Sequence, residues 1–220
     1  MGTIRVTGKG LLRVKPDTTR IGLSLEGVYP EYGEALRRSS EETKSLRELL
    51  ADFGFSGSDL KTLSFGVDAE YEGYQEEGVY RQRFLGYRFR HALKLEFPSD
   101  NERLGKVLYA LSSGPVRPEL SLSYTVRDPE AAKNELLGRA VADAGAKAEV
   151  LARAAGVRLG SIQSIDYAWG RMDLEVRPAD RIMAARAANG VSKLAGSYAL
   201  DVEPEDIEVS DTVTVLWEIG

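Results

Sequence analysis

One stretch constrains this chain more than any other: DPEAAKNELLGRAVADAGAKAEVLARAA, Asp128 to Ala155. Asp128 is placed to cap the free N–H groups of a first helical turn, and Pro129 suits the first helical position, where its missing N–H costs nothing. Ala, Leu, Lys, Glu and Arg then dominate, all good helix formers. Leu137, Ala140, Val141, Ala144, Ala148, Leu151 and Ala155 recur every three or four residues and define one stripe. Gly156 supplies a left-handed stop. A stripe made mostly of alanine lets the helix backbone come close to whatever it packs on. The expectation is a core helix seated tightly on a sheet or on a neighbouring subunit.

The rest of the chain must supply that partner. Thr3 to Thr7 reads as a strand interrupted by Gly8 and Gly10, with a turn at Pro16-Asp17. Thr18 to Val28 alternates cleanly, as a half-buried strand does. Pro30 to Phe53 is predicted helical, with Tyr32, Leu36, Leu46, Leu49, Leu50 and Phe53 as its apolar stripe and a mixed-charge opposite face. Two long strands follow. Leu63, Phe65, Val67, Ala69 and Tyr71 share a face of the first; Leu85, Tyr87, Phe89, His91, Leu93, Leu95 and Phe97 share a face of the second. Between them EGYQEEGVYRQR predicts a hairpin end bearing Tyr74 and Tyr80. Asn101 to Ser112 is a short helix, and Leu120 to Val126 and Ser161 to Tyr167 are strands. Residues 170 to 200 read as an irregular excursion that includes a short helix, Pro178 to Ala188. The strand Ile207 to Ile219 alternates so strictly that it must pair, most simply with an early strand.

The order is ββαββαβαββ. That pattern predicts an α+β fold, antiparallel sheet built of long strands with helices packed on one face, in a single domain over residues 1–220. There is no internal repeat, low-complexity run or dividing linker. The opening MGTIRVTGKG has no apolar signal core, and no stretch suits a membrane span. As it stands the chain reads as soluble and cytoplasmic; a removed leader would instead place it in the periplasm or cell envelope.

Chemistry-bearing motifs are scarce. There is no cysteine, which excludes disulfides, thiol catalysis and cysteine-ligated zinc. With a formal net charge of −5 the surface is not suited to general nucleic-acid or anionic-membrane binding. His91 is the single histidine, and strand parity puts it on an apolar face, the setting of a hydrogen-bonded core residue rather than a general base. Gly8-Lys9-Gly10 is neither a P-loop nor a dinucleotide fingerprint. Ser39-Ser40 and Ser112-Ser113 lie outside any nucleophile elbow. The acids Asp201, Glu203, Glu205, Asp206, Glu208 and Asp211 lack calcium-loop spacing and read as surface charge. Exposed tyrosine beside arginine is favoured at protein interfaces. Tyr74, Tyr80, Tyr87, Tyr167 and Trp169 are therefore the ligand or interface candidates; no catalytic residue, metal ligand or cofactor is assigned.

Four segments together carry a family pattern. IRVTGKGLLRVKPDTTRIGLSLEG resembles the opening of SIMPL-domain proteins, and FLGYRFRHALKLEF their central strand. LGRAVADAGAKAEVLARAAGVRLGSIQSID resembles their alanine-rich helix and following strand, and VEPEDIEVSDTVTVLWEI their ending. The resemblance covers most of the chain. It implies kinship with bacterial periplasmic and outer-membrane-associated proteins, some immunogenic and some linked to oxidative-stress defence. It also implies kinship with ring- or channel-like homo-oligomers and with an animal adaptor of kinase signalling. No activity or catalytic residue defines that family. The leading expectation is a non-enzymatic, self-associating scaffold or binding module, a homo-oligomer with a further protein partner unidentified. The alternatives are a small-ligand binding protein with a pocket at Tyr87, Tyr167 or Trp169, and a metal-dependent hydrolase using residues 201–211.

Overall fold

A computed structural model describes residues 2–168, 174–177 and 203–220. The described elements are β1 (Gly2–Val14), β2 (Thr18–Tyr29), α1 (Tyr32–Ala51), β3 (Lys61–Glu76), β4 (Val79–Pro98), α2 (Asn101–Ser113), β5 (Glu119–Thr125), α3 (Pro129–Ala154), β6 (Leu159–Asp166), the two-residue β7 (Glu175–Val176) and β8 (Ile207–Ile219). The architecture is α+β with antiparallel sheets, as expected, and the elements fall into two compact units.

The first unit comprises Met1–Asp17, Thr125–Val176 and Glu205–Gly220. Its sheet has the order β1-β8-β6. The final strand does pair with an early one: β1 and β8 run antiparallel without a break from Gly2↔Ile219 to Val14↔Ile207. The helix α3 starts where the sequence placed it, with the Asp128 carboxylate accepting the Ala131 N–H at 2.9 Å. Its buried residues are Ala132, Leu136, Ala140, Ala144, Ala148 and Ala152, one every fourth residue. Ala140, Ala144 and Ala148 pack with Val6, Val213, Val215 and Trp217. Leu136 and Ala132 pack with Leu12, Val126, Ile207 and Val209.

Gly8 and Gly10 do not interrupt β1, contrary to the sequence reading. They are what lets α3 sit down. A Cβ added at Gly8 would fall on the Ala140 carbonyl oxygen and lie 2.7 Å from the Ala144 methyl. One added at Gly10 would meet the Leu136 carbonyl oxygen and lie 3.1 Å from the Ala140 nitrogen. Small residues on both surfaces replace side-chain interdigitation with near backbone contact.

The second unit comprises Thr18–Tyr124 and Arg177–Pro204. Its strands β3, β4, β2 and β5 are adjacent in that order. Strand β4 is central, paired with β2 from Thr18↔Pro98 to Tyr29↔Tyr87 and with β3 from Lys61↔Lys94 to Glu76↔Val79. Ile21, Leu23, Leu25, Phe89, Leu93 and Leu95 are almost fully buried, together with Ala35, Leu46 and Leu50 of α1 and Leu104, Val107 and Leu111 of α2. The α2 start is capped by Asp100, whose carboxylate accepts the Arg103 N–H at 3.0 Å. The Arg103 guanidinium lies 4.0 Å from the Phe55 ring centroid and donates to the Phe53 carbonyl at 3.0 Å.

The β3–β4 hairpin outruns its neighbour. β2 ends opposite Tyr87, so residues 70–86 form a two-stranded arm closed at Glu77-Gly78. Both turn residues have positive φ, 51° and 78°, the handedness that matches a twisted hairpin. Where the arm leaves the sheet, Gly86 adopts φ 140°, and a Cβ there would stand 2.9 Å from the Tyr29 carbonyl carbon.

Candidate functional site

Two irregularities decide what the arm presents. The β3–β4 register shifts between Thr62 and Ser64 and again between Glu70 and Tyr71. A bulge advances one strand by a residue and flips the parity beyond it. The period-two reading therefore mis-assigned two positions. Leu63 and Leu85 have no Cα partner in the ladder, and Phe84, not Leu85, stands opposite Tyr71.

With the bulges in place the arm has two unlike faces. One carries charge: Asp68 with Arg90, Glu70 with Arg88, Glu72 with Arg83 and Glu76 with Arg81. The Glu70–Arg88 pair is bidentate at 2.8 and 2.9 Å. Arg88 holds the Glu70 carboxyl below its ordinary range, and Glu70 in turn raises the guanidinium. The other face carries rings. Tyr32 and Tyr87 meet edge to face at 5.5 Å, Tyr87 and Phe84 at 5.4 Å, and Phe84 and Tyr71 at 5.5 Å. Tyr32, Tyr71, Tyr80 and Phe84 are 50, 56, 78 and 45% exposed. Such edge-to-face rings are held in place before any partner arrives.

The sequence candidates separate accordingly. Tyr80 and Tyr87 lie on the aromatic face. Tyr74 stands opposite Arg81 on the charged one. Tyr167 belongs to the first unit, where its hydroxyl donates to Asp211 at 2.8 Å and is pushed above its ordinary range by that carboxylate. Trp169 lies outside the described residues, as does the segment expected to form a helix at Pro178 to Ala188. Tyr32, Tyr71 and Phe84 were missed as site residues. The signal for Phe84 was hidden by the bulge; that for Tyr32 was its place at the first position of α1, ahead of the buried row that begins at Ala35.

A cleft of about 370 Å³ in the second unit is lined by Ser24, Glu26, Glu42, Val116, Arg117 and Glu119, among others. Burial raises the Glu42 carboxyl, opposed by the charge of Arg38. None of the candidate tyrosines lines this cleft.

His91 is buried, and its neighbours are hydroxyls. Thr43 donates to the Ser39 carbonyl at 2.7 Å. Its oxygen is then left to accept from His91 Nδ1 at 3.1 Å, while Thr62 donates to Nε2 at 2.9 Å. The nitrogen that faces the Ser39 hydroxyl at 3.5 Å thus already carries a hydrogen and is not set up to remove that proton. Burial, reinforced by the like charge of Arg47, holds the imidazole below its ordinary range, in the neutral form.

Of the acidic 201–211 segment, Glu208 pairs with Arg13, and Asp211 accepts both Tyr167 and the Thr212 N–H. Asp201 lies outside the described residues. Among the described residues no group of three or more His, Asp or Glu is arranged to hold a metal. No helix among them is long and apolar enough to cross a membrane.

The sequence profile of SIMPL, described as a protein of unknown function (DUF541), matches residues 4–217. The chain is 28% identical over 163 residues to the 26 kDa periplasmic immunogenic protein of Brucella melitensis, and equally to that of Brucella abortus. Those matches cover 74% of this chain and 65% of the Brucella proteins, so the chain spans just under two thirds of their length. It is 22% identical over 214 residues to uncharacterized protein YggE of Edwardsiella ictaluri, covering 97% of this chain and 85% of that one. The profile runs through the glycine-bearing β1, the bulged hairpin, the alanine-rowed α3 and the closing β8, and on that match the chain belongs to the SIMPL family.

Proposed function

We propose that this SIMPL protein is a non-enzymatic scaffold that self-associates, and that the aromatic face of the β3–β4 arm is its docking surface. The single observation that carries this reading is the run of preset rings from Tyr32 through Tyr87 and Phe84 to Tyr71, continued by the exposed Tyr80, on an arm whose opposite face is mostly charged. An apolar stripe of this kind is costly to leave in water. At about 200 Å² per aromatic side chain, the exposed parts of the four rings amount to roughly 900 Å² across two copies. That is the size of a weak, reversible interface rather than a permanent one. The acids of the charged face are already neutralised by β4 arginines, so two arms can approach without a net repulsion. The family profile runs through both units without a break, which supports treating them as one functional domain.

The test is sedimentation velocity from about 1 to 100 μM on the parent and on Tyr71→Thr/Tyr80→Thr/Phe84→Thr, which keeps strand propensity. Self-association of the parent, weakened at least tenfold in the variant, is the expected result. A parent that stays monomeric throughout, or a variant that assembles equally well, would overturn the reading. The Brucella relatives are named periplasmic, which supports an envelope location for this protein. Recovery of the protein from source cells only in the fraction not released by osmotic shock would argue against that.

A further inference from the structure

Among the described residues β1 is the outermost strand of its sheet, so along one side its backbone has no strand partner there. Such an edge is a template for another strand. In this protein three side chains of α3 occupy it. Arg139 donates to the Leu11 carbonyl at 2.9 Å, Asp143 accepts the Lys9 N–H at 2.7 Å, and Lys147 donates to the Thr7 carbonyl at 3.5 Å. The pattern has a geometric cause. Four helical residues rise about 6.0 Å, and two residues of antiparallel strand about 6.8 Å. A row of residues four apart on α3 therefore keeps step with alternate residues of β1, with the chains running in opposite directions. The short aspartate sits in the middle and the long cations at the ends, where the mismatch accumulates.

The row is held by its own contacts. Lys147 pairs with Asp143 at 2.7 Å and Arg139 with Glu135 at 2.6 Å. Lys147, then the Lys9 N–H, keep the Asp143 carboxyl below its ordinary range, so it stays ionised. Asp143 reaches the strand only because Gly8 and Gly10 let α3 approach so closely.

We infer that Arg139, Asp143 and Lys147 form an edge guard, an autoinhibitory contact that prevents a β1 edge of a second copy from adding to this sheet. An incoming strand needs both the N–H and the C=O of Lys9, and the N–H is taken. The guard thereby confines association to surfaces away from β1. This inference does not depend on the arm being a docking surface.

The test uses the full chain carrying the three arm substitutions above, so that arm-mediated association is already removed, with and without Arg139→Ala/Asp143→Ala/Lys147→Ala. Alanine preserves helix propensity, and circular dichroism checks that α3 remains. Two results are expected together: exchange of the Lys9 amide at least tenfold faster, and new concentration-dependent species with an intermolecular β signature in infrared spectra. Unchanged Lys9 exchange would overturn the guard, and so would faster exchange with no new association. If the triple variant loses its helix, the single Asp143→Ala is read by the same two measurements. Asp143→Asn, which keeps an acceptor oxygen, is expected to leave both unchanged.

Discussion

Gly8→Val is expected to destabilise the protein by about 3–5 kcal/mol, a large part of an ordinary domain's stability. The added branch would enter the space of the Ala140 carbonyl oxygen and the Ala144 methyl. The obstacle is helix backbone, which has no rotamer to yield. α3 would have to lift off β1, losing the contacts of Ala140, Ala144 and Ala148 with the strands beneath. Gly8→Ala is expected to cost less, about 2 kcal/mol, because a single methyl requires a smaller retreat. Two glycines of α3 itself make the control. A Cβ at Gly138 or Gly145 would meet nothing within 4 Å. Alanine at either is expected to stabilise by up to about 1 kcal/mol through helix propensity alone. Urea unfolding followed by far-ultraviolet circular dichroism measures all four. A Gly8→Val protein as stable as the parent would mean that α3 is not seated on β1 at all.

The same helix shows what the sequence made legible. Its ends were readable because Asp128, Pro129 and Gly156 are chemically committed residues at fixed offsets. Its phase was only half readable. The stripe rightly included Ala140, Ala144 and Ala148 but added Leu137, Val141, Leu151 and Ala155, whereas the buried row continues through Ala132, Leu136 and Ala152. Close approach selects for small size, not hydrophobicity, and a hydrophobic pattern does not register that. The counterpart was present in β1, where Gly8 and Gly10 share parity with the buried Val6 and Leu12. Read as breaks, they concealed a flat seat for an alanine row.

Elsewhere the reading failed where one strand slipped against another. Alternation predicts faces only while register is unbroken, and one bulge, at Leu63, lies within the sheet and the other, at Leu85, at the root of the arm. That is why the aromatic face was located by its tyrosines but not by Phe84. Helix α1 failed differently. Ser39 and Thr43 lie in its buried row with Ala35, Leu46 and Leu50, while the expected Tyr32 and Leu36 remain partly exposed. Two hydroxyls in an apolar row have meaning only once their partner is known, and that partner, His91, is 48 residues beyond Thr43.

That partnership leads to a pH-dependent loss of stability. His91 is the only histidine in the chain, so between pH 7 and pH 5 no other side chain with an ordinary value titrates. Its folded-state value is depressed, by burial first and by Arg47 second. The unfolded chain therefore takes up the proton at higher pH than the folded one. Stability is complete above the unfolded value near 6.5 and falls as the pH drops from there through the folded value. Protonation also obliges the Thr62 hydroxyl, now a donor to Nε2, to turn and accept. Losses from carboxylates whose values are lowered, Glu70, Glu96 and Asp143 among them, begin below their own unfolded values and so fall at lower pH. His91→Gln is expected to remove the histidine's part of the slope between pH 7 and pH 5, leaving the opposite contribution of Glu42, whose carboxyl burial raises, and the steeper acid limb. His91→Ala, which leaves a cavity beside Phe65 and strips Thr43 and Thr62 of their partner, is expected to cost about 2–4 kcal/mol at pH 7. Urea midpoints at half-unit pH intervals measure both. A parent whose midpoint falls no more steeply than that of His91→Gln as the pH drops from 7 to 5 would show that the imidazole is not held neutral in the folded protein, and the neutral hydroxyl-bound histidine would have to be abandoned.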